Sequence, residues 1–372
     1  MFANNLKRRV ESLLACADIR IDGDRPWDIT VHRPEFYPRV FREGSLGLGE
    51  SYMDGWWDSP ALDQFFDHLF RAHLDDQAFP RWSTIRLYLQ SLLSNPQTKS
   101  RSFKVGEGHY DRGNDLFEAM LDKRMVYTCG CWDAADTLDA AQEAKLEFVC
   151  HAIGARPGMR ILDIGCGWAG FAKYAAEKYC AKVTGVTVSR EQARLAQEKC
   201  AALPVEIRVE DYRDLRNALR EKFDSVVSLG MFEHVGSKNY RTFMQIVSSV
   251  LDGCGRFYLS CIGKNVSVRI TDPWIEKYIF PNSMLPSLKQ IGAAAEGLFV
   301  MEDLQNWAAD YDRTLMAWYA NFKDHWNELR AHYDQRFFRM WKFYLMASAG
   351  SFRSHRLQVW QMLFSPQNAT GC

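Results

Sequence analysis

Between residues 160 and 263, short apolar runs rich in β-branched residues alternate with segments in which apolar positions recur every three to four residues. The apolar runs predict buried strands, and the periodic segments predict amphipathic helices. The predicted strands are RILDI, AKVTGVTV, VEIRV, FDSVVSLG and GRFYLSCIG, and the predicted helices are FAKYAAEKY, SREQARLAQEKCAAL and NYRTFMQIVSSVL. Strands and helices that alternate in this way require a mostly parallel sheet covered on both faces, so we predict an α/β fold.

Two later apolar runs, LFVMEDLQNW and RLQVWQMLFS, predict two further strands and bring the sheet to seven. Between them, a segment over about residues 308–353 is rich in Trp, Tyr, Phe and Met and predicts a helical insert. The insert is either a bundle that packs on the sheet or the wall of a site for a long apolar ligand.

The chain before residue 109 differs in character from the chain after it. Residues 1–93 mix strand and helix patterns and include the segment GSLGLGESYMDGWW, whereas residues 94–108 are polar, basic and end in glycine. The second pattern is typical of a linker. We therefore predict a small N-terminal α+β domain over 1–93, a linker over 94–108 and the α/β domain over 109–372.

Composition limits the partners of the chain. Of its 372 residues, 46 are Lys or Arg and 46 are Asp or Glu, so no overall positive field attracts nucleic acid and we expect no nucleic-acid partner. The aromatic content of 13% suits a wide core, an apolar pocket or a membrane-facing surface. The ten cysteines lack zinc-site spacing, so we expect reduced thiols and no metal.

Hydropathy predicts no membrane-spanning segment, because no apolar run approaches the ~20 residues that a bilayer requires. The N-terminal apolar stretch LLACA is too short for a signal peptide. We therefore expect a cytoplasmic protein whose contact with a membrane is peripheral.

The strongest local signal for chemistry is the segment LDIGCGWAG, in which a predicted strand ends at Asp163 and Gly165, Gly167 and Gly170 follow. Glycines there let the backbone bend sharply and approach a ligand closely. Dinucleotide dehydrogenases share the G-x-G-x-x-G pattern, but they carry an acidic residue at the tip of the second strand, where this chain has Thr187. The acidic residue before the first glycine favours S-adenosylmethionine as the cofactor.

Side chains after the second and third strands extend this predicted site. Thr187, Ser189 and Gln192 can form neutral hydrogen bonds with a ligand, and Asp211 and Tyr212 are placed to meet an adenine ring. The turn after the first strand and the two segments that follow the next strands therefore predict one cofactor site.

With these residues identified, the chain resembles the bacterial cyclopropane-fatty-acyl-phospholipid synthases and their mycolic-acid cyclopropane synthase relatives. The likeness covers nearly the whole chain, in separated blocks that keep one order: EGSLGLGESYMDGWW, HYDRGNDLF, YTCGCW, LDIGCGWAG, GVTVS, MFEHVG, DPWIEKYIFPN and ADYDRTLMAWY. It implies a class I S-adenosylmethionine-dependent methyltransferase with a Rossmann-like sheet and a small lipid-binding N-terminal domain. It also adds Tyr127, Thr128, Cys166 and Trp168 to the cofactor site.

The resemblance implies an activity and the residues that support it. The family transfers a methylene group to the cis double bond of an unsaturated phospholipid acyl chain, through a carbocation that a bound bicarbonate ion deprotonates. Carried over to this sequence, the bicarbonate pocket consists of Cys129, Glu233, Ser260, the backbone at Ile262, and Tyr311. The resemblance further implies a homodimer.

Each of these residues also has an ordinary structural role to offer. Glu233 can be a carboxylate stabilised at a helix N-terminus, Cys129 a small buried apolar residue, and Tyr311 an aromatic residue at the start of a helix. For His109 and His234 we favour structural hydrogen bonding, because both lie in turn-like motifs.

Two positions depart from the family, since Ser260 stands where it has a histidine and Ser348 where it has a cysteine. Serine donates one hydrogen bond to an anion but carries no positive charge, so bicarbonate binds more weakly unless Cys261 or a water helps. Ser348 is compatible with activity, because methyl transfer to an alkene needs no nucleophile. Two alternatives stay open: a C-methyltransferase that makes a methyl-branched or methylidene chain, and a lipid-binding homologue without catalysis.

Access to a phospholipid predicts a membrane contact in the N-terminal part of the chain. Trp56, Trp57 and a helix over 82–93 are predicted to recruit lipid, with basic side chains at anionic headgroups. These basic residues are Lys99, Arg101 and Lys104. Alternatively, the two tryptophans belong to a core.

Overall fold

The computed structural model describes residues 2–77, 113–215, 222–268 and 270–367. The strands, numbered here in chain order, are β1 (Thr30–Val31), β2 (Trp57–Asp58), β3 (Arg160–Ile164), β4 (Lys182–Thr187), β5 (Val205–Val209), β6 (Phe223–Leu229), β7 (Leu251–Gly263), β8 (Phe299–Asn306) and β9 (Gln358–Pro366). The helices are α1 (Phe2–Cys16), α2 (Phe36–Glu43), α3 (Ser45–Met53), α4 (Leu62–Arg71), α5 (Leu74–Gln77), α6 (Asn114–Met120), α7 (Leu138–Ile153), α8 (Gly170–Tyr179), α9 (Arg190–Cys200), α10 (Tyr240–Val250), α11 (Pro273–Tyr278), α12 (Leu288–Ala295), α13 (Ala308–Asp324), α14 (Trp326–Leu329) and α15 (Gln335–Arg353).

Two compact units divide the chain. The first contains Met1–Ser94, Arg269–Pro281 and Tyr311–Leu357, and the second contains Asn95–Val268, Asn282–Asp310 and Gln358–Cys372. Most of the predicted helical insert therefore belongs to the same unit as the N-terminal residues. The predicted linker over 94–108 lies outside the described residues, and the domain bounds drawn from the sequence stay a prediction.

The second unit is built on the predicted seven-stranded sheet, with the strand order β5-β4-β3-β6-β7-β9-β8. The pairs from β5 to β7 are parallel, and β9 runs antiparallel to both of its neighbours. This confirms the predicted mostly parallel, seven-stranded sheet, and every strand predicted between residues 160 and 263 forms. The strand β7 begins at Leu251, four residues before its predicted start.

Helices cover the sheet on both faces, as the alternating pattern requires. One apolar cluster joins the strands to α10 and α12, and the other joins them to α7, α8 and α9. Side chains alternate along β7, so Phe257, Leu259 and Cys261 face α10 and Tyr258 faces α7. Ser260 therefore points to the α7 side of the sheet.

The core of the first unit is aromatic. Trp57 is 0% exposed, and its ring centroid lies 5.1 Å from those of Tyr52 and Phe65. Its indole N–H donates to the carbonyl of Leu48 at 3.0 Å. The prediction that Trp57 contacts lipid is therefore wrong, because its ring holds the core together. Trp56 is half-buried under the guanidinium of Arg39, and the other predicted membrane residues lie outside the described part of the chain.

Two separated blocks of the first unit meet in the fold. Gly49 in α3 lies against the indole of Trp274 in α11, and a Cβ on Gly49 would come within 2.3 Å of that ring. The buried carboxylate of Glu50 accepts hydrogen bonds from Lys277 at 2.6 Å and from the Tyr278 hydroxyl at 2.8 Å. The segments GSLGLGE and DPWIEKY therefore share one packing interface.

Eight cysteines in the described part of the chain are free, and Cys254 is disulfide-bonded. The expectation of ten reduced thiols is therefore wrong at Cys254. Unlike the free cysteines in the core, this residue is exposed near the start of β7. Among the described residues, no helix combines the length and the apolar character needed to cross a membrane.

The Gly49–Trp274 contact predicts opposite effects for one substitution at two helical glycines. Gly49→Ala should destabilise the protein by about 1–3 kcal/mol, because the buried indole has to move. Gly292→Ala in α12 meets no atom within 4 Å and should stabilise it by about 0.5–1 kcal/mol. Urea unfolding of both variants checks the pair. A Gly49→Ala variant as stable as the wild type would contradict the proposed packing.

Candidate active site

The predicted site residues of the second unit gather where its parallel strands end. The strands β3, β4, β6 and β7 end at Ile164, Thr187, Leu229 and Gly263. Parallel strands present their carboxyl ends at one edge of a sheet, and ligands of open α/β sheets bind at that edge. The loops that follow these four strands, together with the turn after β5 that carries Asp211 and Tyr212, therefore define the candidate site.

The glycine turn after β3 combines a tight bend at Gly165 with an open approach to the backbone at Gly167. Gly165 has φ 85°, and a Cβ there would lie 2.6 Å from that of Met231. Gly167 has φ 53°, and the nearest atom to its missing Cβ is Nε2 of Gln192 at 4.0 Å. Gly170 is instead a packing position, since its Cβ would meet Val126 at 2.7 Å. Gly165 and Gly167 are thus the residues that shape a ligand-binding turn.

Asp163 closes β3 with its carboxylate out of water. The residue is 2% exposed, and its Oδ2 has no hydrogen-bond partner within the described residues. Burial raises the pKa of this carboxyl to about 7, against the opposing charge of Lys145. An unsatisfied buried acceptor costs about 1–3 kcal/mol, so this oxygen is poised to accept from a ligand.

Thr187, Ser189 and Gln192 come together at the start of α9. The Thr187 hydroxyl donates to Oε1 of Gln192 at 3.1 Å, and Ser189 Oγ caps the helix by accepting from the Gln192 N–H at 3.2 Å. All three are buried. The predicted group is thus one connected set, with Gln192 beside the glycine turn.

The two residues predicted to meet adenine differ from each other. Both carboxylate oxygens of Asp211 accept from the Arg213 guanidinium at 2.7 Å, so Asp211 already holds a partner. The hydroxyl of buried Tyr212 has no partner in the part of the chain that the structure describes. Of this pair, Tyr212 is the one with unused hydrogen-bonding capacity.

A loop that includes Tyr127, Thr128 and Cys129 lies beside the glycine turn. The rings of Tyr127 and Trp168 both contact Phe117, at centroid distances of 5.2 and 4.9 Å. Cys166, in the same turn, is buried, and burial raises the pKa of its thiol well above the ordinary value. Aromatic and apolar groups therefore line this part of the predicted cofactor site.

Thr128 is fixed by contacts on several sides. Its carbonyl accepts from Gln142 Nε2 at 2.8 Å, and its hydroxyl oxygen accepts from Lys145 Nζ at 2.9 Å. A Cβ on Gly230 would come within 2.7 Å of the Thr128 methyl group. The N–H of Gly230 donates to the carbonyl of Ser260 at 2.9 Å. Thr128 is thereby brought close to the end of β7.

Cys129 is buried on the α7 side of the sheet. Its thiol donates to the carbonyls of Gly130 at 3.2 Å and Trp307 at 3.6 Å. The Trp307 ring packs on Phe148, which in turn contacts Tyr258. Ser260 points to this same side, so the structure gathers Cys129 and Ser260 there.

Glu233 follows β6 in a short 3-10 turn over Phe232–His234. Its Oε1 accepts from the N–H of Ile262 at 2.6 Å, whereas its Oε2 has no partner among the described residues. Burial raises the pKa of the Glu233 carboxyl to about 7. The structure therefore pairs two residues of the predicted anion pocket, and the Ile262 N–H is already used by Glu233.

Other residues of the predicted pocket lie elsewhere or have different properties. Tyr311 and Ser348 lie in the first unit, where the Tyr311 ring stacks on Phe352 at 4.7 Å. Burial lowers the pKa of His234 to about 4, so that imidazole is neutral. Burial and Glu233 raise the pKa of the Cys261 thiol, which faces the opposite apolar cluster from Ser260. Cys261 therefore offers no charge to replace the missing histidine.

Sequence inspection missed two polar residues beneath the loop. Gln142 and Lys145 are 0% and 2% exposed on the buried face of α7. A signal for both existed, because they occupy the otherwise apolar stripe Leu138, Ala141, Leu146, Val149 and Ile153. In the described ranges, no group of three or more His, Cys, Asp or Glu residues is arranged to hold a metal ion.

Comparisons with known proteins show the family to which the chain is related. Residues 97–362 match the family model described as mycolic acid cyclopropane synthetase. The chain is 49% identical to cyclopropane-fatty-acyl-phospholipid synthase of Escherichia coli (strain K12), over 97% of this chain and 94% of that protein. It is 32% identical to tuberculostearic acid methyltransferase of Mycobacterium tuberculosis, over 96% of this chain and 90% of that protein.

A solved structure supports the same fold. Mycolic acid cyclopropane synthase CmaA1, complexed with SAH and CTAB, superposes with a TM-score of 0.65 at 28% identity. The match covers 70% of this chain and 97% of that one.

The buried Glu233 carboxylate predicts a pH-dependent stability. Its pKa of about 7 in the folded state lies above the ordinary 4.5, so the wild type loses stability as pH rises between these values. Glu233→Gln should therefore be more stable than the wild type at about pH 8, by on the order of 3 kcal/mol, and the difference should shrink toward pH 5. Denaturant unfolding of the wild type and of Glu233→Gln in carbonate-free buffer measures the difference in stability at both pH values.

Glu296→Gln is the matched control, because Glu296 is exposed. It should show no pH-dependent difference from the wild type. A Glu233→Gln variant that is less stable than the wild type at about pH 8 would mean that the carboxylate stabilises the fold.

Proposed function

The chain belongs to the mycolic acid cyclopropane synthetase family, and on this basis we propose that it transfers a methylene group from S-adenosylmethionine to the cis double bond of an unsaturated phospholipid acyl chain. It is an enzyme of the S-adenosylmethionine-dependent methyltransferase class. The observation that carries the proposal is the pair of unsatisfied carboxylate oxygens, on Asp163 and Glu233, at the edge where the parallel strands end.

The residues around the glycine turn fit the cofactor. Gly167 leaves its backbone approachable, and Asp163 Oδ2 and the Tyr212 hydroxyl have unused hydrogen-bonding capacity. When bound, S-adenosylmethionine would supply an electron-poor methyl group to the alkene, and bound bicarbonate would supply the base for the proton whose loss closes the ring. Asp163 would bind the ammonium of the cofactor, and Gln192 would bind next to the turn.

Phe117, Tyr127 and Trp168 would keep water out of the cofactor site. Their rings contact one another through Phe117, and aromatic faces stabilise a developing carbocation without capturing it. A water molecule at the same place would add to the cation and divert the product. Exclusion of water is therefore part of the catalysis that we propose.

Glu233, Cys129 and Ser260 would hold the anion. Glu233 offers Oε2 to the hydroxyl of bicarbonate, and its negative charge offsets the positive charge of the substrate cation. The Ser260 hydroxyl would be a neutral donor on the α7 side of the sheet, and the Cys129 thiol would join it by giving up its bonds to the carbonyls of Gly130 and Trp307. Tyr311 is part of this proposal through the family resemblance alone.

A second candidate is a C-methyltransferase that ends the same cation as a methyl-branched or methylidene chain. The observation that favours it is Ser260, because a serine in place of the family's histidine adds no positive charge to an anion pocket. The resemblance to a tuberculostearic acid methyltransferase supports it further. In the first candidate, the initial cation loses a proton from the transferred methyl group as the ring closes. In the second, a 1,2-hydride shift first moves the charge to the methyl-bearing carbon, and loss of a methyl proton then leaves the methylidene group. A saturated methyl branch additionally requires a separate reductant that donates hydride.

Lipid analysis of cells that express the wild type and its variants tests both candidates. A cyclopropane adds one CH2 to the acyl chain and resists mild hydrogenation. A methylidene group adds the same CH2 but is reduced by mild hydrogenation. We expect the wild type to form the cyclopropane. Glu233→Gln should lower the rate of product formation at least about 100-fold, and Ser260→His should raise that rate. The gain should be greatest at low bicarbonate.

Ser12→His on the exposed face of α1 is the matched control for the added imidazole. It should leave the lipid products unchanged. A branched or methylidene product from the wild type would favour the second candidate. Full activity of Glu233→Gln would remove the anion pocket from the mechanism.

We also propose a cytoplasmic location with peripheral contact to an anionic membrane, and a homodimer as in the family. The substrate resides in a bilayer, so one surface of the protein has to reach its headgroups. Because Trp57 is a core residue, the basic residues Lys99, Arg101 and Lys104 carry this proposal.

Reversal of those three charges to glutamate should weaken flotation with vesicles that contain anionic lipid. Each basic residue near an anionic surface contributes about 1 kcal/mol, so the loss should disappear on neutral vesicles or in high salt. Reversal of the exposed Lys178, Lys182 and Lys222 is the control with equal charge change. Equal flotation of the two triple variants would end the proposed role of the first set.

A further inference from the structure

The inference concerns the two polar residues on the buried face of α7. Lys145 is fully buried, although an ammonium group taken out of water costs several kcal/mol unless a partner compensates. Its Nζ makes its hydrogen bond to a neutral group, the hydroxyl of Thr128 at 2.9 Å. A purely structural role would be served equally well by an apolar side chain, as at Leu146 in the next position.

Three acidic groups on neighbouring elements act on the charge of Lys145. They are Asp122 in the turn after α6, the Cys129 thiol in the loop and Asp163 at the end of β3. Asp122 is occupied, because its carboxylate accepts from the N–H groups of Arg124 at 2.8 Å and Val126 at 2.9 Å. Asp163 retains an unsatisfied oxygen. Of these two carboxylates, Asp163 is therefore the one that keeps an oxygen for a ligand.

Gln142, one turn earlier, supports the same loop. Its Nε2 donates to the carbonyl of Thr128 at 2.8 Å, and its Oε1 has no partner among the described residues. Lys145 and Gln142 thus secure Thr128 by its side chain and its backbone. Movement of Lys145 would disturb both the loop and the electrostatic environment of Asp163.

We propose that Lys145 is a positioning residue of the cofactor site: it fixes Thr128 by a hydrogen bond and supplies a positive charge that acts on the buried Asp163 carboxylate, which would bind the ammonium group of S-adenosylmethionine. This inference deepens the proposed function and rests on its cofactor-binding step alone, not on the lipid or the bicarbonate.

The balance of burial and charge supports this role. Burial raises the pKa of Asp163 to about 7, and the charge of Lys145 opposes that rise. Burial lowers the pKa of Lys145 to about 8, and the charges of Asp122, Cys129 and Asp163 oppose that fall. Near neutral pH, loss of the lysine charge would shift Asp163 toward its protonated form, which cannot attract an ammonium group.

Calorimetric binding of S-adenosylhomocysteine to the full chain, between about pH 6 and 8, tests the proposal. Wild-type affinity should rise with pH as Asp163 ionises. Lys145→Gln keeps a donor for Thr128 but removes the charge, so affinity at neutral pH should fall about tenfold for each unit by which the pKa of Asp163 rises. The pH at which affinity rises should move upward.

Thr128→Val is the matched control, because it removes the hydrogen bond and keeps the charge. It should weaken binding without moving the pH midpoint. In an Asp163→Asn background, Lys145→Gln should cause no further loss, since the group on which it acts is gone. In lipid assays, Lys145→Gln should raise KM for S-adenosylmethionine more than it lowers kcat.

Two results would overturn the role of the charge. One is a pH midpoint that Lys145→Gln leaves unchanged. The other is a loss of affinity from Lys145→Gln that is as large in the Asp163→Asn background as in the wild type. If Lys145→Gln does not fold, as judged by circular dichroism, Lys145→Met replaces it as an apolar side chain of similar length. A wild type that does not bind S-adenosylhomocysteine would overturn the proposed function itself. A wild type that binds it while the variants bind equally well would overturn only this inference.

Discussion

Charge held out of water at one edge of the sheet is the constraint on which the candidate site depends. Asp163, Glu233 and Lys145 are all buried. Burial raises the pKa of the two carboxyl groups and lowers that of the lysine, so it favours the neutral form of each. The same loss of water that costs folding stability strengthens every interaction with a charged ligand. The site therefore gives up stability in the free protein for strong binding of a charged cofactor.

The surrounding fold meets this constraint mainly with backbone groups. The Ile262 N–H donates to Glu233, and two N–H groups after α6 donate to Asp122. Fixed donors of this kind hold a carboxylate without adding a second charge. Ser260 likewise adds no charge, since it offers a neutral hydroxyl where the family has a histidine that can be protonated.

The first unit shows how sequence blocks can be recognisable for packing rather than for chemistry. Gly49 accommodates the indole of Trp274, Glu50 joins Lys277 and Tyr278, and Trp57 lies at the centre of an aromatic core. The hydrogen bonds and ring contacts described for these residues lie within that unit. Their dense glycine and aromatic content therefore reflects close packing, which explains why Trp57 is unsuited to a membrane.

The sequence alone determined the strands and helices of the α/β domain, their order along the chain, and the glycine turn. Side-chain periodicity and the need for glycine at positive φ are local properties of the chain. Only the tertiary structure decided that Trp57 is buried, that Arg213 occupies Asp211, and that Ile262 pairs with Glu233. It also revealed Lys145, a lysine that helical periodicity alone treats as an exception. Burial and pKa depend on atoms brought from distant parts of the chain, so no local pattern carries them.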